Sequence, residues 1–344
     1  MGKIYHIKKK SEEKRMRFTK YNSMNDILAY PNMEEYLKVF YSEYLLSMFA
    51  KEYYGEPLML AQQFGKTPWE EPFSNIVDQL LDAVNLVLDI NENKTRRCIS
   101  LWNTGCDWNL EHNSAGEKEG VFLVACNEVQ DREKKPAVII CPGGGYEAVC
   151  FSGEGTPVMH FMEAQGYRAF ILKYRVKPAV YPAPQEDLAK AIRFVREHAE
   201  ELGVDAGNVM TMGFSAGGHL CASEAALYNG IAKPDKICLG YPVISFVQEQ
   251  HEGSAKNLTG GRRELRECLS VENMVTSDYP PTFAWTCADD DCVPPSNTSL
   301  IKEVLYQAGI PSEVHIYPTG NHGCALAFSK SAYPWSRAMI EFMK

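Results

Sequence analysis

The stretch Gly213-Phe214-Ser215-Ala216-Gly217-Gly218-His219 decides how the rest of this chain is interpreted. The apolar run Asn208–Met212 before it predicts a buried strand. Ala216–Asn229 predicts a helix, because two leucines lie two helical turns apart and two alanines favour helix. A strand, Gly-x-Ser-x-Gly and a helix form the context of a nucleophile elbow, where small residues allow a sharp turn around the serine. The bare pattern would occur by chance in roughly one chain in ten of this length, so its surroundings decide its meaning.

Composition limits the classes of protein to consider. The chain has 344 residues, 45% hydrophobic and 23% charged, which is enough for one large α/β domain with additions or for two modest domains. A net charge of −9, from 44 acidic and 35 basic residues, without an extended basic stripe, argues against a nucleic-acid partner. The 11 cysteines form no Cys-x-x-Cys pair and no Cys/His cluster at zinc spacing. We therefore expect reduced cytosolic thiols, no metal and no cofactor.

The N-terminus and the distribution of apolar residues bear on location. Residues 1–10 carry charge but no long apolar core, so a signal peptide is not expected. No run approaches the roughly 18 apolar residues of a membrane span. The sequence predicts a cytoplasmic protein that does not bind a membrane.

Residues 1–83 are predicted to form an N-terminal helical extension, and residues 84–344 a catalytic domain. Residues 24–63 show helical character, and Ser74–Leu88 could form another helix. This block is rich in aromatic residues. A cap over the active site, an interface in a homo-oligomer and simple packing against the main domain all remain open for it.

From about residue 84 the chain alternates between short apolar runs and helical patterns. We expect strands at Val84–Ile90, Arg97–Trp102, Gly120–Cys126, Ala137–Cys141, Ala169–Val176, Asn208–Met212, Lys236–Ile244, Pro281–Cys287 and Ser312–Tyr317. We expect helices at Thr156–Gln165, Glu186–Leu202, Ala216–Asn229, Ser296–Gln307 and Ser331–Met343, with a long irregular excursion at Ser245–Tyr279. This alternation predicts an α/β fold with a mostly parallel, doubly wound sheet and helices on both faces.

Chemically suitable groups follow four of the predicted strands. They are Gly143–Tyr146, Ser215, Asp289–Asp291 and His322. In open α/β sheets the ligand lies outside the carboxyl ends of the strands. We therefore expect these groups to meet at one edge of the sheet.

A serine nucleophile requires a histidine to take its proton. His322 lies between Gly320 and Gly323, after the last predicted strand, where flanking glycines let an imidazole reach across the sheet edge. We predict His322 as the base, with His251 as the alternative. His219, one helical turn after the serine, is expected to support the elbow helix.

The acid that orients the histidine is expected between the serine and His322. Asp289-Asp290-Asp291 follows a predicted strand and precedes Val293-Pro294. Three adjacent carboxylates cannot all be ionised and buried without strong repulsion. One is therefore expected against the histidine while the others face water, and the residues themselves do not select which.

The sequence Pro142-Gly143-Gly144-Gly145-Tyr146, here called the glycine loop, follows the predicted strand Ala137–Cys141. Glycines leave backbone N–H groups free to approach an oxyanion closely. We predict an oxyanion hole formed by the N–H of Gly144 or Gly145 together with that of Ala216. A phosphate-binding loop is the rival interpretation, but no Gly-Lys-Ser/Thr follows these glycines and their spacing does not make G-x-G-x-x-G.

From about residue 120 onward the chain resembles the α/β-hydrolase superfamily. Within it, the chain is most similar to the acetyl-esterase and acetylxylan-esterase-like branch, which is related to hormone-sensitive lipase. The motifs are Cys141–Tyr146, Tyr174-Arg-Val176, Tyr181-Pro-Ala-Pro184 with Asp187, Gly213–Leu220, Tyr279–Phe283, Ala288–Pro294 and Gly320-Asn-His-Gly323. The resemblance implies that the acid lies four residues before Pro294, at Asp290. One departure is Cys141-Pro142, where lipase-like relatives carry a histidine before the glycines.

These features lead to an expected function. We expect a serine carboxylic-ester hydrolase acting on short acyl esters, especially acetyl esters of sugars or xylo-oligosaccharides, through Ser215, His322 and Asp290. The alternatives are an arylformamidase, a peptidase-like amide hydrolase, or a hydrolase fold used only for binding. The expected partner is a small-molecule ester.

Overall fold

A computed structural model describes residues 16–41, 46–47, 49, 51–60, 74–102, 110, 116–127, 129, 133–328 and 330–344. Eight strands within these ranges form one sheet. They are β1 (Arg96–Ser100), β2 (Phe122–Cys126), β3 (Lys135–Cys141), β4 (Arg168–Lys173), β5 (Val204–Phe214), β6 (Lys236–Gly240), β7 (Thr282–Cys287) and β8 (Ser312–Tyr317). Their order is β1-β2-β4-β3-β5-β6-β7-β8. The pairs β1/β2 and β2/β4 are antiparallel and the other five are parallel, so the sheet is mostly parallel, as the sequence predicts.

Helices cover both faces of this sheet. In the described ranges they are α1 (Met24–Leu28), α2 (Met33–Phe40), α3 (Ser74–Asn91), α4 (Thr156–Ala164), α5 (Ala183–Glu197), α6 (Ala199–Leu202), α7 (Ala216–Leu227), α8 (Glu252–Thr259), α9 (Glu264–Cys268), α10 (Ser296–Gln307) and α11 (Trp335–Met343). A π-helical turn, Phe151–Gly155, precedes α4. None of these helices is long and apolar enough to cross a membrane.

The central strands are buried on both faces, which explains their continuous apolar sequences. In β3 the segment Ala137–Cys141 is fully buried, as is the whole of β7. Parallel strands covered by helices on both sides lose the in–out alternation of a half-exposed sheet. The predicted fold class is confirmed, and the strands and helices predicted from residue 97 onward occur in the predicted order with bounds that differ by a few residues. The predicted helix Glu186–Leu202 is divided into α5 and α6, and the segment Ser245–Tyr279, predicted to be irregular, contains α8 and α9.

The predicted strand at Val84–Ile90 is wrong. This segment is the second half of α3, in which Val77, Leu80, Val84 and Val87 are fully buried at intervals of three to four residues. A short, nearly continuous apolar run fits a buried strand and a buried helix equally well, so periodicity within it does not decide. The proposed division of the chain at residue 84 falls inside this helix and stays a prediction.

One of the motifs quoted for the resemblance has a structural explanation. The Asp187 carboxylate is fully buried and accepts hydrogen bonds from the backbone N–H and the guanidinium Nη2 of Arg175, each at 2.8 Å. It also accepts one from Trp102 Nε1 at 2.8 Å. Because a buried carboxylate needs such donors, these bonds tie the segment after β4 to α5 and to the chain after β1.

Candidate active site

The nucleophile elbow is built by backbone packing against backbone. Ser215 has φ 53° and ψ −122°, a conformation that L-residues rarely adopt, and it immediately precedes α7. A Cβ at Gly213 would lie 2.1 Å from the carbonyl oxygen of Gly217, and one at Gly217 would lie 2.0 Å from that of Cys141. Both glycines of the Gly-x-Ser-x-Gly pattern are therefore sterically required.

The structure brings Ser215, His322 and Asp290 together as the sequence predicts. His322 Nε2 lies 2.9 Å from Ser215 Oγ, and His322 Nδ1 lies 2.8 Å from Asp290 Oδ2. The Asp290 side chain is fully buried, and its Oδ1 accepts from the N–H groups of Cys292 at 3.0 Å and Val293 at 2.9 Å. A carboxylate beside Nδ1 makes that nitrogen the donor and leaves Nε2 to accept the serine proton.

The three adjacent aspartates occupy different environments. Asp290 is the one against His322, whereas Asp289 and Asp291 are exposed. Asp289 Oδ1 accepts the N–H groups of Gly320 and Asn321, each at 2.9 Å. The segment 318–328 is here called the histidine loop. Asp289 fixes this loop through hydrogen bonds on its solvent-exposed side.

His219 supports the elbow region, as the sequence suggests. It is fully buried, with Nε2 donating to the carbonyl of Leu269 at 2.8 Å. Its Nδ1 is left to accept the Tyr146 hydroxyl, also at 2.8 Å. Burial lowers the pKa of His219 to about 4, so the ring is neutral at pH 7. The alternative base, His251, uses Nδ1 to cap α8 by accepting from the N–H of Ser254 at 3.2 Å.

Side chains from several segments fix the glycine loop. Tyr174 donates to the carbonyl of Pro142 at 2.6 Å. Glu154 accepts from the N–H of Gly143 at 2.6 Å, and Asn257 Nδ2 donates to the carbonyl of Gly145 at 2.9 Å. These contacts hold a loop whose sequence, Cys141-Pro142, lacks the histidine expected from lipase-like relatives.

The residues predicted for the oxyanion hole belong to two segments that adjoin the nucleophile, the glycine loop and the start of α7. A Cβ at Gly143 would be 2.8 Å from Ser215 Cβ, so the glycine loop passes directly against the serine. Gly144 and Gly145 have φ of +124° and +64°, and their N–H groups donate to no acceptor among the described residues. Ala216 is the first residue of α7, where helical N–H groups lack intrahelical partners. The role of these three amides stays a prediction.

The sequence interpretation missed Glu154, Tyr241 and Asn257. Tyr241 directly follows β6, and its ring centroid lies 4.8 Å from that of His322. The strand was predicted to end at Ile244, whereas β6 ends at Gly240. The sequence interpretation therefore did not recognise Tyr241 as a residue at the end of a strand. Nothing in the local pattern around Glu154 or Asn257 marks either residue. Within the described ranges, no group of three or more His, Cys, Asp or Glu residues could hold a metal ion.

Comparison with known proteins places this chain in a family. Residues 125–305, a little over half of the chain, match BD-FAE. The chain is 31% identical over 223 residues to endo-1,4-beta-xylanase B of Butyrivibrio fibrisolvens, covering 60% of this chain and 35% of that protein. It is 31% identical over 194 residues to an acetylxylan esterase of Xylanibacter ruminicola, covering 54% of this chain and 40% of that one. The chain thus spans well under half of the length of either relative.

A solved structure shows the same architecture. The acetyl ester-xyloside bifunctional hydrolase of Caldicellulosiruptor lactoaceticus superimposes with a TM-score of 0.64 and 34% identity, covering 71% of this chain and 94% of that one. The resemblance inferred from the sequence is confirmed. The chain belongs to the BD-FAE family, among the esterase-like members of the α/β-hydrolase superfamily.

Proposed function

We propose that this protein is a serine carboxylic-ester hydrolase in which Ser215 is the nucleophile, His322 the general base and Asp290 the orienting acid. The observation that carries the proposal is the unbroken series of contacts from Asp290 Oδ2 through both ring nitrogens of His322 to Ser215 Oγ, at 2.8 and 2.9 Å. A serine hydroxyl is a weak nucleophile at pH 7, and this arrangement activates it.

In the first half of the reaction Ser215 Oγ attacks the ester carbonyl carbon while its proton moves to His322 Nε2. The carbonyl oxygen becomes an oxyanion that accepts the N–H of Ala216 and one from Gly144 or Gly145. Each such donor stabilises a transition state by about 3–4 kcal/mol. The intermediate then expels the alkoxide, which takes the proton from His322 and leaves an acyl-Ser215.

In the second half of the reaction water replaces the alcohol. His322 Nε2 takes a proton from water as the oxygen attacks the acyl carbon, and the same oxyanion contacts form again. Collapse breaks the bond to Ser215 Oγ, which recovers its proton from His322 as the carboxylic acid leaves. Asp290 accepts from Nδ1 throughout and stabilises the imidazolium in both halves.

For the substrate we propose short acyl esters, with acetyl groups on xylose-containing saccharides as the preferred class. The named activities of the relatives support this choice, since one is an acetylxylan esterase and another an acetyl ester-xyloside hydrolase. A cytoplasmic location and a small-molecule partner accord with this substrate class and are part of the proposal.

Labelling with a fluorophosphonate probe followed by peptide mapping tests the nucleophile. We expect one labelled peptide containing Ser215 and no labelling after Ser215→Ala. Ser223→Ala is the matched control, because Ser223 is a buried serine on the same helix, α7. Labelling that survives Ser215→Ala would contradict the assignment.

Hydrolysis of a substrate panel tests the reaction class. The panel contains p-nitrophenyl acetate and butyrate, acetylated xylo-oligosaccharides and N-formylkynurenine. We expect acetate esters to be cleaved and the acetylated saccharides to show the highest kcat/KM. Cleavage of N-formylkynurenine without cleavage of the esters would identify an arylformamidase instead.

A further inference from the structure

A second buried carboxylate lies at the candidate active site, and the mechanism above does not use it. Glu154 belongs to the π-helical turn Phe151–Gly155 and is almost completely buried. Its Oε2 accepts the N–H of Gly143 at 2.6 Å, and its Oε1 accepts the hydroxyl of Tyr241 at 2.8 Å. One side chain therefore contacts both the glycine loop and the residue that follows β6.

Tyr241 extends this contact to the histidine loop. Its hydroxyl oxygen accepts the N–H of Ala325 at 3.0 Å, and its ring packs edge-on against His322. Because that oxygen accepts from Ala325, the proton of the hydroxyl is the one donated to Glu154. The series Gly143 N–H, Glu154 carboxylate, Tyr241 hydroxyl and Ala325 N–H, here called the Glu154 bridge, joins the two loops.

The bridge lies against the nucleophile. A Cβ at Gly143 would meet both Glu154 Oε2 and Ser215 Cβ at 2.8 Å, so Gly143 is enclosed between the carboxylate and the serine. The N–H of Gly143 is occupied by Glu154, which leaves the next amides of the loop, Gly144 and Gly145, for the oxyanion. A change in the position of Glu154 would therefore move the predicted oxyanion donors relative to Ser215.

We propose that Glu154 is a positioning residue that fastens the glycine loop to the histidine loop, holding the oxyanion donors and His322 in fixed geometry around Ser215. This inference rests on the proposed function. Errors of about 1 Å in such geometry can cost on the order of 100-fold in rate, which is why a rigid connection between two loops would matter.

The charges around Glu154 fit this role. Burial raises the pKa of Glu154, while the Tyr241 hydroxyl, the charge of His322 and the Gly143 N–H oppose that rise. Among the described residues, thiols and phenols that the charge of Glu154 acts on have raised pKa values and are neutral at pH 7: Cys150, Tyr174, Tyr241, Cys292 and Cys324. The compensation for its burial therefore comes from the two hydrogen bonds of the bridge and from the charge of His322.

The test uses two variants and one control. Glu154→Gln keeps the size of the side chain but places an amide NH₂ opposite either the Gly143 N–H or the Tyr241 hydroxyl. Tyr241→Phe removes the hydroxyl that contacts Glu154 and Ala325 but keeps the aromatic ring that packs against His322. Glu224→Gln is the matched control, because Glu224 is fully buried on α7 and its carboxylate oxygens have no hydrogen-bond partner in the described part of the chain.

We expect Glu154→Gln to lower kcat for p-nitrophenyl acetate about 10- to 100-fold while KM changes by no more than about twofold, because the loss affects the transition state. The double variant Glu154→Gln/Tyr241→Phe should have a kcat only slightly below that of Glu154→Gln, because both substitutions break the same hydrogen-bond network. Hydrogen–deuterium exchange of the peptides containing Gly143 and Ala325 should become faster in Glu154→Gln. Glu224→Gln should leave kcat and both exchange rates unchanged.

Faster exchange with an unchanged kcat would mean that Glu154 is only structural and would overturn the inference. Unchanged exchange in both loops would overturn it as well. If Glu154→Gln fails to fold, kcat and hydrogen–deuterium exchange are measured on Tyr241→Phe instead, and the same outcomes support or overturn the inference. A wild-type protein that hydrolyses no ester contradicts the proposed function, whereas the exchange rates still measure the link between the loops.

Discussion

The nucleophile elbow and the histidine loop form the two halves of the candidate site, yet different contacts hold them. In the elbow, Gly213 and Gly217 let backbone pack against backbone at distances that no side chain would permit. The histidine loop is held by side chains from other segments. These are Asp289 on Gly320 and Asn321, Tyr241 on Ala325, and Trp335, whose Nε1 donates to the carbonyl of Ala325 at 2.9 Å.

This difference explains how each half can fail. The elbow has no space for a Cβ at Gly213 or Gly217, so almost any side chain added at either position disrupts it. The histidine loop depends on several hydrogen bonds, each of which can be removed singly at a smaller cost. We therefore expect all-or-none effects in the elbow and graded effects in the histidine loop.

The largest expected effect is that of Gly217→Ala. The new Cβ would lie 2.0 Å from the carbonyl oxygen of Cys141, so the elbow would have to open. We expect loss of esterase activity together with a fall of about 3 kcal/mol or more in the free energy of unfolding, measured by urea denaturation. Gly207→Ala is the control, since its nearest neighbour is a flexible side-chain oxygen of Asp205 at 3.5 Å. A stable, active Gly217→Ala protein would contradict this account of the elbow.

The next effect is that of Asp290→Asn. The amide can donate to His322 Nδ1, which would place the imidazole in the wrong tautomer and leave Nε2 unable to accept from Ser215. We expect kcat to fall by roughly 10⁴-fold with little change in stability. Steady-state kinetics with p-nitrophenyl acetate measures this. A loss equal to that of Asp291→Asn, an exposed neighbour, would exclude Asp290 as the orienting acid.

A pH effect of intermediate size is expected on the elbow side, where His219 supports the glycine loop. The pKa of His219 is about 4 in the folded protein and 6.5 ordinarily, so the unfolded chain binds the additional proton between these values. The free energy of unfolding should therefore decrease as the pH falls from 6.5 to 4, by roughly 3 kcal/mol. Urea denaturation across this range should show a smaller decrease in His219→Gln. If the free energy of unfolding fell equally with pH in both proteins, His219 would not contribute to this pH dependence.

The smallest expected effect is that of Asp289→Ala. It removes the acceptor for two backbone N–H groups of the histidine loop but leaves the contact between His322 and Asp290 in place. We expect kcat to fall on the order of tenfold, the equivalent of one or two hydrogen bonds. Asp291→Ala should have no effect. A loss as large as that of Asp290→Asn would show that the histidine loop, like the elbow, fails as a unit.

Much of the candidate site could be predicted because its requirements are local in the sequence. Gly-x-Ser-x-Gly, the triple glycine and a histidine between glycines each follow a strand, and parallel strands bring such ends to one sheet edge. The selection of Asp290 needed the resemblance to a family, because three adjacent aspartates are equivalent until the fold buries one. The prediction of a strand at Val84–Ile90 was wrong for a similar reason, because its apolar run fits a strand as well as a helix.

The sequence by itself determined the α/β fold, through its alternation of apolar runs and helical patterns, and it determined the positions of Ser215, the glycine loop and His322, because each of these lies in a short pattern of residue types. Only the tertiary structure decided how the glycine loop is connected to the histidine loop. Glu154 lies 11 residues from Gly143 and 87 from Tyr241 in the chain, and no local pattern marks it. Its role follows from burial, because a carboxylate excluded from water must find donors wherever the fold places them.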